Sequence, residues 1–102
     1  MKNWVYTCKN FQKVRKLIKE GEETSQNCLL ILKEIQNLCD ELASLNLRHW
    51  LFHGSFKDLK TEIQEDMELM NTNDYEECKD NTDYYLREFY DLCDISCIWL
   101  GI

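Results

Sequence analysis

Residues 25–45 read SQNCLLILKEIQNLCDELASL, and this stretch decides the fold. Its apolar residues recur every three or four positions, which places them on one face of an α-helix. Thr24 or Ser25 can cap the start of this helix. The heptad-like repeat lasts under three heptads, which is short for a long coiled coil. We therefore expect the stripe to pack inside a bundle or in a compact dimer. Its members are Cys28, Ile31, Leu32, Ile35, Leu38, Cys39, Leu42 and Leu45.

Three further segments have helical periodicity. The first predicts a helix from about Asn10 that ends at Gly21, a good C-terminal stop; its apolar residues are Phe11, Val14, Leu17 and Ile18. The third helix has a stripe made of Phe56, Leu59, Ile63, Met67 and Met70. The fourth has a stripe made of Tyr75, Cys78, Tyr85, Phe89, Leu92 and Cys93.

The helix boundaries are less clear in the sequence. Residues 46–54 are either a bent extension of the second helix or a separate short turn, and Gly54 is expected to end it. Ser55 with Asp58, and Asn73 with Glu76, resemble capping pairs. Residues 80–83, with sequence DNTD, are poor helix formers and are expected to break or kink the fourth helix. The apolar tail, residues 98–102, is expected to pack against the bundle or a partner. We predict one all-α domain over residues 1–102, a compact bundle of about four helices, with a short extended segment around Trp4–Tyr6.

Charge is distributed very unevenly along the chain. Residues 58–94 contain thirteen Asp or Glu against three Lys or Arg, whereas residues 1–19 contain six Lys or Arg and no acid. A net charge of −7 argues against direct nucleic-acid binding, which depends on a dense basic face. A dense field of carboxylates instead attracts basic protein surfaces.

The acidic region is therefore the candidate partner-binding surface. Tyr84 and Tyr85 cannot both face one core stripe, so one of them is expected to be exposed beside carboxylates, as in many protein–protein hot spots. The alternative is that the charge only keeps a small helical protein soluble. The candidate residues are Glu62, Glu65, Asp66, Glu68, Asp74, Glu76, Glu77, Asp80, Asp83 and Tyr84.

The six cysteines bear on the cellular compartment. No apolar run approaches the roughly 20 residues of a membrane helix, and the start lacks the apolar core of a signal peptide. We therefore expect a cytoplasmic protein that does not bind membranes. Its thiols are then expected to be reduced, with Cys28, Cys39 and Cys93 in the core.

The two histidines and two of the cysteines are candidates for a metal site or a catalytic site. His49 and His53, with Cys93 and Cys97, have the spacing for a tetrahedral zinc site, although it matches no known finger pattern. The residues between the histidines read as core, which favours ordinary side chains and no bound metal. Nothing in the sequence brings a thiol next to an imidazole, and the three glycines are isolated. We expect no cofactor and no enzymatic activity.

The chain has crowded carboxylates at residues 62–83, a small size and no catalytic motif. In these properties it resembles the small phage-encoded inhibitors of bacterial defence, of which anti-CRISPR proteins are the best-known class. Residues with AT-rich codons number 36 against seven with GC-rich codons, which indicates a low-GC bacterium or its phage. The resemblance implies an inhibitor that binds a Cas9-type nuclease in the bacterial cytoplasm. A helical interaction or dimerisation module and a zinc-stabilised regulator are the alternatives; the chain is a monomer or a homodimer.

Overall fold

The regular secondary structure is entirely α-helical in the part of the chain that the computed structural model describes. That part is the backbone of residues 9–44 and 50–100, with the side chains of residues 12–43 and 55–93. The predicted all-α bundle is confirmed. The described helices are α1 (Lys9–Glu20), α2 (Ser25–Ser44), α3 (Trp50–Leu69) and α4 (Tyr75–Leu100).

Helix α2 is the centre of the bundle. It packs against α1, α3 and α4, and α3 and α4 also pack against each other. Its predicted apolar stripe is buried from Cys28 to Leu42; Leu45 lies outside the described residues. Because the other helices already cover this stripe, a dimer formed through it would require the bundle to open. Leu30 lies off the stripe and is half-exposed.

The turn between α1 and α2 is built as the sequence predicts. The Gly21 amide donates to the Leu17 carbonyl oxygen at 3.0 Å and ends α1. The side-chain amide of Asn27 donates to the same oxygen at 3.2 Å. A Cβ at position 21 would collide with that oxygen and with Asn27, so the turn requires glycine. Thr24 caps α2, since its Oγ1 accepts a hydrogen bond from the Asn27 amide at 3.2 Å.

Helix α3 begins earlier than the sequence indicates. The expectation that Gly54 ends a helix is wrong, because α3 runs from Trp50 through Gly54 to Leu69. Ser55 and Asp58 consequently lie inside the helix and are not a capping pair. Glycine within a helix costs about 1 kcal/mol relative to alanine. The burial of Phe56, Leu59 and Ile63 against the other helices outweighs this cost.

Helix α4 is continuous from Tyr75 to Leu100, so the predicted break at residues 80–83 is wrong. Thr82 is buried, and its Oγ1 donates to the Cys78 carbonyl oxygen at 2.7 Å. The hydroxyl is therefore satisfied within the helix and does not compete with the backbone. Cys78, Tyr85 and Phe89 bury the same face of α4, and that burial overrides the weak local propensity.

The cap of α4 lies one residue later than the predicted pair of Asn73 and Glu76. Asp74 Oδ1 accepts a hydrogen bond from the Glu77 amide at 3.3 Å, and Glu77 Oε2 accepts one from the Asn71 amide at 3.1 Å. Both carboxylates also lie near the positive end of the helix dipole. Two of the candidate partner-binding acids therefore stabilise the start of a helix.

We expect Asp74→Ala to lower the free energy of unfolding by about 1 kcal/mol, because it removes this cap. Urea denaturation followed by far-UV circular dichroism measures the change. Asp74→Asn should restore most of the loss, since asparagine caps a helix about as well. The matched control is Asp80→Ala, an exposed acid inside the same helix, which should change stability little. Equal losses in Asp74→Ala and Asp80→Ala would show that the cap does not contribute.

Polar contacts fix α3 against α2. The buried Gln36 side chain donates to the Lys60 carbonyl oxygen at 3.2 Å and to Gln64 Oε1 at 3.1 Å. Lys60 Nζ also binds both carboxylate oxygens of Asp40, at 2.8 and 2.7 Å. This ion pair is half-exposed, so its contribution to stability is at most about 1 kcal/mol.

Some expectations concern residues that the structure does not describe. The extended segment at Trp4–Tyr6 lies outside the described residues, and so do the side chains of the apolar tail. Of the helices in the described ranges, none combines the length and the apolar character needed to cross a bilayer.

Candidate functional site

An acidic groove lies between α3 and α4. Its volume is about 290 Å³. Four of its lining residues are acidic, and none of the described residues that line it is basic. The lining residues are Ser55, Asp58, Leu59 and Glu62 from α3, and Glu88, Asp91 and Leu92 from α4. We call these seven residues the acidic groove.

Helix periodicity brings the four carboxylates of the acidic groove into two pairs, one on α3 and one on α4. Asp58 and Glu62 are one turn apart on α3, while Phe56, Leu59 and Ile63 turn that helix toward the core. Glu88 and Asp91 are three residues apart on α4, also about one turn, and the opposite face of that helix is buried. Two packed helices therefore hold two pairs of like charges along one groove. Such a fixed array of negative charge produces a strong local field.

A buried tyrosine joins the two helices beside the groove. The Tyr85 hydroxyl donates to Asp66 Oδ2 and lies 3.5 Å from the Glu62 carbonyl oxygen. Burial raises the pKa of Tyr85 well above its ordinary value, and the hydrogen bond and negative charge of Asp66 raise it further. Tyr85 therefore stays a protonated donor at physiological pH. Asp66 is half-buried and is engaged in this contact, which stabilises the packing of α4 on α3.

Tyr84 is the exposed aromatic residue that the sequence predicts. Its side chain is 51% exposed, whereas Tyr85 is buried. The two rings meet edge to face, with centroids 5.1 Å apart and planes at 79°. Tyr84 also precedes Glu88 of the acidic groove by one helical turn. A rigidly held aromatic ring beside carboxylates is a common anchor in protein–protein interfaces.

The other predicted acids are not brought together with the groove. Glu65 lines a different groove with Lys57 and Lys60. Glu68 accepts a hydrogen bond from Gln64 Nε2 at 3.2 Å, while Asp74 and Glu77 cap α4.

The remaining candidate acids lie elsewhere on α4. Asp83 faces the α1–α2 turn, where it lines a groove with Glu22 and Glu23. Glu76 and Asp80 are exposed on α4.

Of the candidate residues, then, Glu62 lines the acidic groove, and Asp66 and Tyr84 lie beside it. Asp58, Glu88 and Asp91 were not among the candidates although they line the groove. The spacing from Asp58 to Glu62, and from Glu88 to Asp91, is the sequence signal that could have selected them. It becomes informative only once α3 and α4 are known to pack side by side.

The alternative of a zinc site falls mostly outside the described residues. The side chains of His49, His53 and Cys97 lie outside the described residues, and the remaining ligand, Cys93, is buried. Among the side chains that are described, no group of three His, Cys, Asp or Glu residues has an arrangement that could hold a metal ion.

Cys28, Cys39 and Cys78 are free, buried thiols, and Cys93 is buried as well. Burial raises the pKa of Cys39 to about 12, and the charge of Asp40 adds to the rise while Lys60 opposes it. Burial also raises the pKa of Cys28. Both thiols are therefore protonated at neutral pH and pack as small apolar side chains.

Comparison of the chain with models of protein families, with curated proteins and with solved structures found no match.

Proposed function

We propose that the protein is a non-enzymatic inhibitor whose acidic groove binds the basic surface of a nucleic-acid-handling protein. The observation that supports this function best is the groove itself, with four carboxylates and no basic residue among its described lining. Like charges brought this close oppose folding. Charges that serve only solubility need not be gathered in one groove.

The groove has the physical properties of a surface that substitutes for nucleic acid. DNA presents closely spaced negative charges, and proteins that hold it use Arg and Lys clefts. Two packed helices already hold the backbone positions of these carboxylates, so binding such a cleft has to order only their exposed side chains. Opposite fields also speed the encounter of the two proteins. Tyr84 adds an apolar contact beside the charges.

A Cas9-type nuclease is the target that we propose, in the cytoplasm of a bacterial host. Such a nuclease reads its PAM with arginines and holds the guide–target duplex in a positively charged channel. The groove is suited to these surfaces by charge. The small size, acidic character and AT-rich coding of the chain, which resemble those of anti-CRISPR proteins, support this choice over other basic proteins.

The test is target cleavage by a guide-loaded type II Cas9, with the protein added before or after the DNA. We expect inhibition only when the protein is added first, because groove and DNA compete for one surface. Neutralising the groove with Asp58→Asn, Glu62→Gln, Glu88→Gln and Asp91→Asn should weaken inhibition about tenfold or more, since each lost charge contact is worth a few tenths to 1 kcal/mol. These positions leave Asp66, Asp74 and Glu77, which stabilise the fold, unchanged.

The matched control removes the same amount of charge elsewhere. Glu20→Gln, Glu22→Gln, Glu23→Gln and Asp83→Asn neutralise four exposed acids at the α1–α2 turn. This variant should inhibit almost as well as the natural chain. Equal loss in both variants would mean that net charge, not the groove, is responsible. Absence of inhibition in either order of addition, across several Cas9 orthologues, would exclude this target.

A further inference from the structure

Helix α1 has a basic face that the rest of the described molecule leaves unpartnered. Lys13, Arg15, Lys16 and Lys19 are exposed, and none of them forms an ion pair with a described residue. Val14 is buried and Leu17 half-buried, so the helix is held on α2 by its other side. The exposed cations are therefore fixed on a packed helix.

An apolar residue lies among these cations. Ile18 is 47% exposed, although α1 has buried positions only one turn away. With Arg15, Lys16 and Lys19 it lines a groove of about 610 Å³ that also contains Glu20 and reaches Tyr90 of α4. An exposed branched side chain flanked by cations is suited to a partner with an apolar contact surrounded by acids. We call Arg15, Lys16, Ile18 and Lys19 the basic face.

We propose that the basic face binds the acidic groove of a second copy of this chain. Charge complementarity supports this partner, because the groove on α1 has three exposed cations against one acid, whereas the other groove has four carboxylates. Each surface also has one half-exposed apolar or aromatic side chain, Ile18 on the basic face and Tyr84 beside the acidic groove. Charged rims around a small apolar centre are the usual anatomy of a protein–protein contact.

No ion pair joins the two surfaces within the described part of one molecule. Helix α1 packs mainly against α2, whereas the groove is formed by α3 and α4. The described ion pair, Lys60 with Asp40, uses neither surface. The net charge of −7 opposes association in general, but at physiological salt the Debye length is about 8 Å, so distant repulsion is screened while contacting charges still attract.

Charge also selects the geometry of the pair. A two-fold contact of either surface with itself would bring like charges together, so each basic face must meet the acidic groove of the other copy, either reciprocally in a closed dimer or head to tail. A head-to-tail pair leaves one acidic groove and one basic face free, and further copies can add. Self-association would therefore occlude the surface proposed to bind the target, and it would increase with protein concentration.

The experiment is sedimentation velocity of the full chain, without any target, over micromolar to millimolar concentrations at physiological and high salt. We expect the weight-average mass to rise with concentration at physiological salt, where distant repulsion is screened, and to fall at about 1 M salt, where the contacting charges are screened as well. The basic-face variant, Arg15→Glu with Lys19→Glu, should have an association constant lower by about tenfold or more. So should the groove variant, Glu62→Lys with Glu88→Lys. The control, Lys33→Glu with Lys57→Glu, has the same charge change as the basic-face variant on exposed positions of α2 and α3, and it should associate like the natural chain.

Mixing the two deficient variants gives the sharpest result. The basic-face variant keeps an intact groove and the groove variant keeps an intact basic face, so an equimolar mixture should form a 1:1 heterodimer that cannot grow further. A natural chain that remains monomeric throughout, or a mixture that forms no heterodimer, would overturn the proposal. If a variant fails to fold, carbodiimide crosslinking of mixed ¹⁴N- and ¹⁵N-labelled natural chain replaces the mixing experiment. Intermolecular links that avoid both surfaces would also overturn the proposal. Because no target is present, these results are independent of the inhibition assay.

Discussion

Phe56→Ala is expected to lower the free energy of unfolding by about 3–5 kcal/mol. The Phe56 side chain is fully buried, and its ring packs against that of Phe89 with the centroids 6.2 Å apart. Truncation removes this contact between α3 and α4 and leaves a cavity that the helices can fill only in part. Domains of this size are stable by about 5–15 kcal/mol, so the loss is a large part of the total. Urea denaturation followed by far-UV circular dichroism measures it.

Leu69→Ala on the same helix is the matched control. Leu69 is 84% exposed, so its truncation removes almost no buried surface and should change stability by less than about 0.5 kcal/mol. A small loss in Phe56→Ala, close to that of the control, would mean that α3 and α4 are not packed through this residue. It would also undermine the acidic groove, which depends on the same two helices being side by side.

The helices and their buried faces could be predicted because they depend on local spacing. The stripe on α2 sets both its helical phase and the residues that enter the core. The turn at Gly21 was equally predictable, since α1 has its last apolar residues just before a glycine. In each case the local preference and the tertiary packing favour the same structure.

The start of α3 and the continuity of α4 could not be predicted in this way. At Gly54 and at residues 80–83 the local sequence disfavours a helix, while apolar positions on both sides favour one. The outcome depends on how much surface the flanking residues bury against other helices. The buried surface is a property of the whole bundle, so an estimate from neighbouring residues alone is too low.

The acidic character of the candidate site was predictable, but its exact membership was not. Composition indicates that α3 and α4 carry many carboxylates. Which of them share a groove depends on the rotation and register of the two helices, which Tyr85 and Asp66 help to fix. Asp74 and Glu77 look like any other acids in the sequence until the cap shows their structural role.

Raising the pH above 9 is expected to destabilise the fold strongly, because of Cys39. Its thiol would ionise near pH 9 in the unfolded chain, whereas burial keeps its pKa at about 12 in the folded protein. Between these values the folded state retains a proton that the unfolded state has lost. Stability therefore falls as pH rises, by about 1.4 kcal/mol per pH unit and about 4 kcal/mol over the window. Below pH 9 both states are protonated, and this effect disappears.

The slope of stability against pH tests this assignment better than stability at one pH. Cys28 and Tyr85 also have raised pKa values and act in the same direction, so the natural chain should lose stability at least as steeply as Cys39 alone predicts. Cys39→Ala should be less stable at neutral pH because of its small cavity. Above pH 9, however, its stability should decline more slowly, because one proton fewer distinguishes its folded state from its unfolded state. Urea midpoints measured under a phosphine reductant over this range provide both slopes. Equal slopes would show that the Cys39 thiol ionises as readily in the folded protein as in the unfolded chain, and that the centre of α2 is open to water.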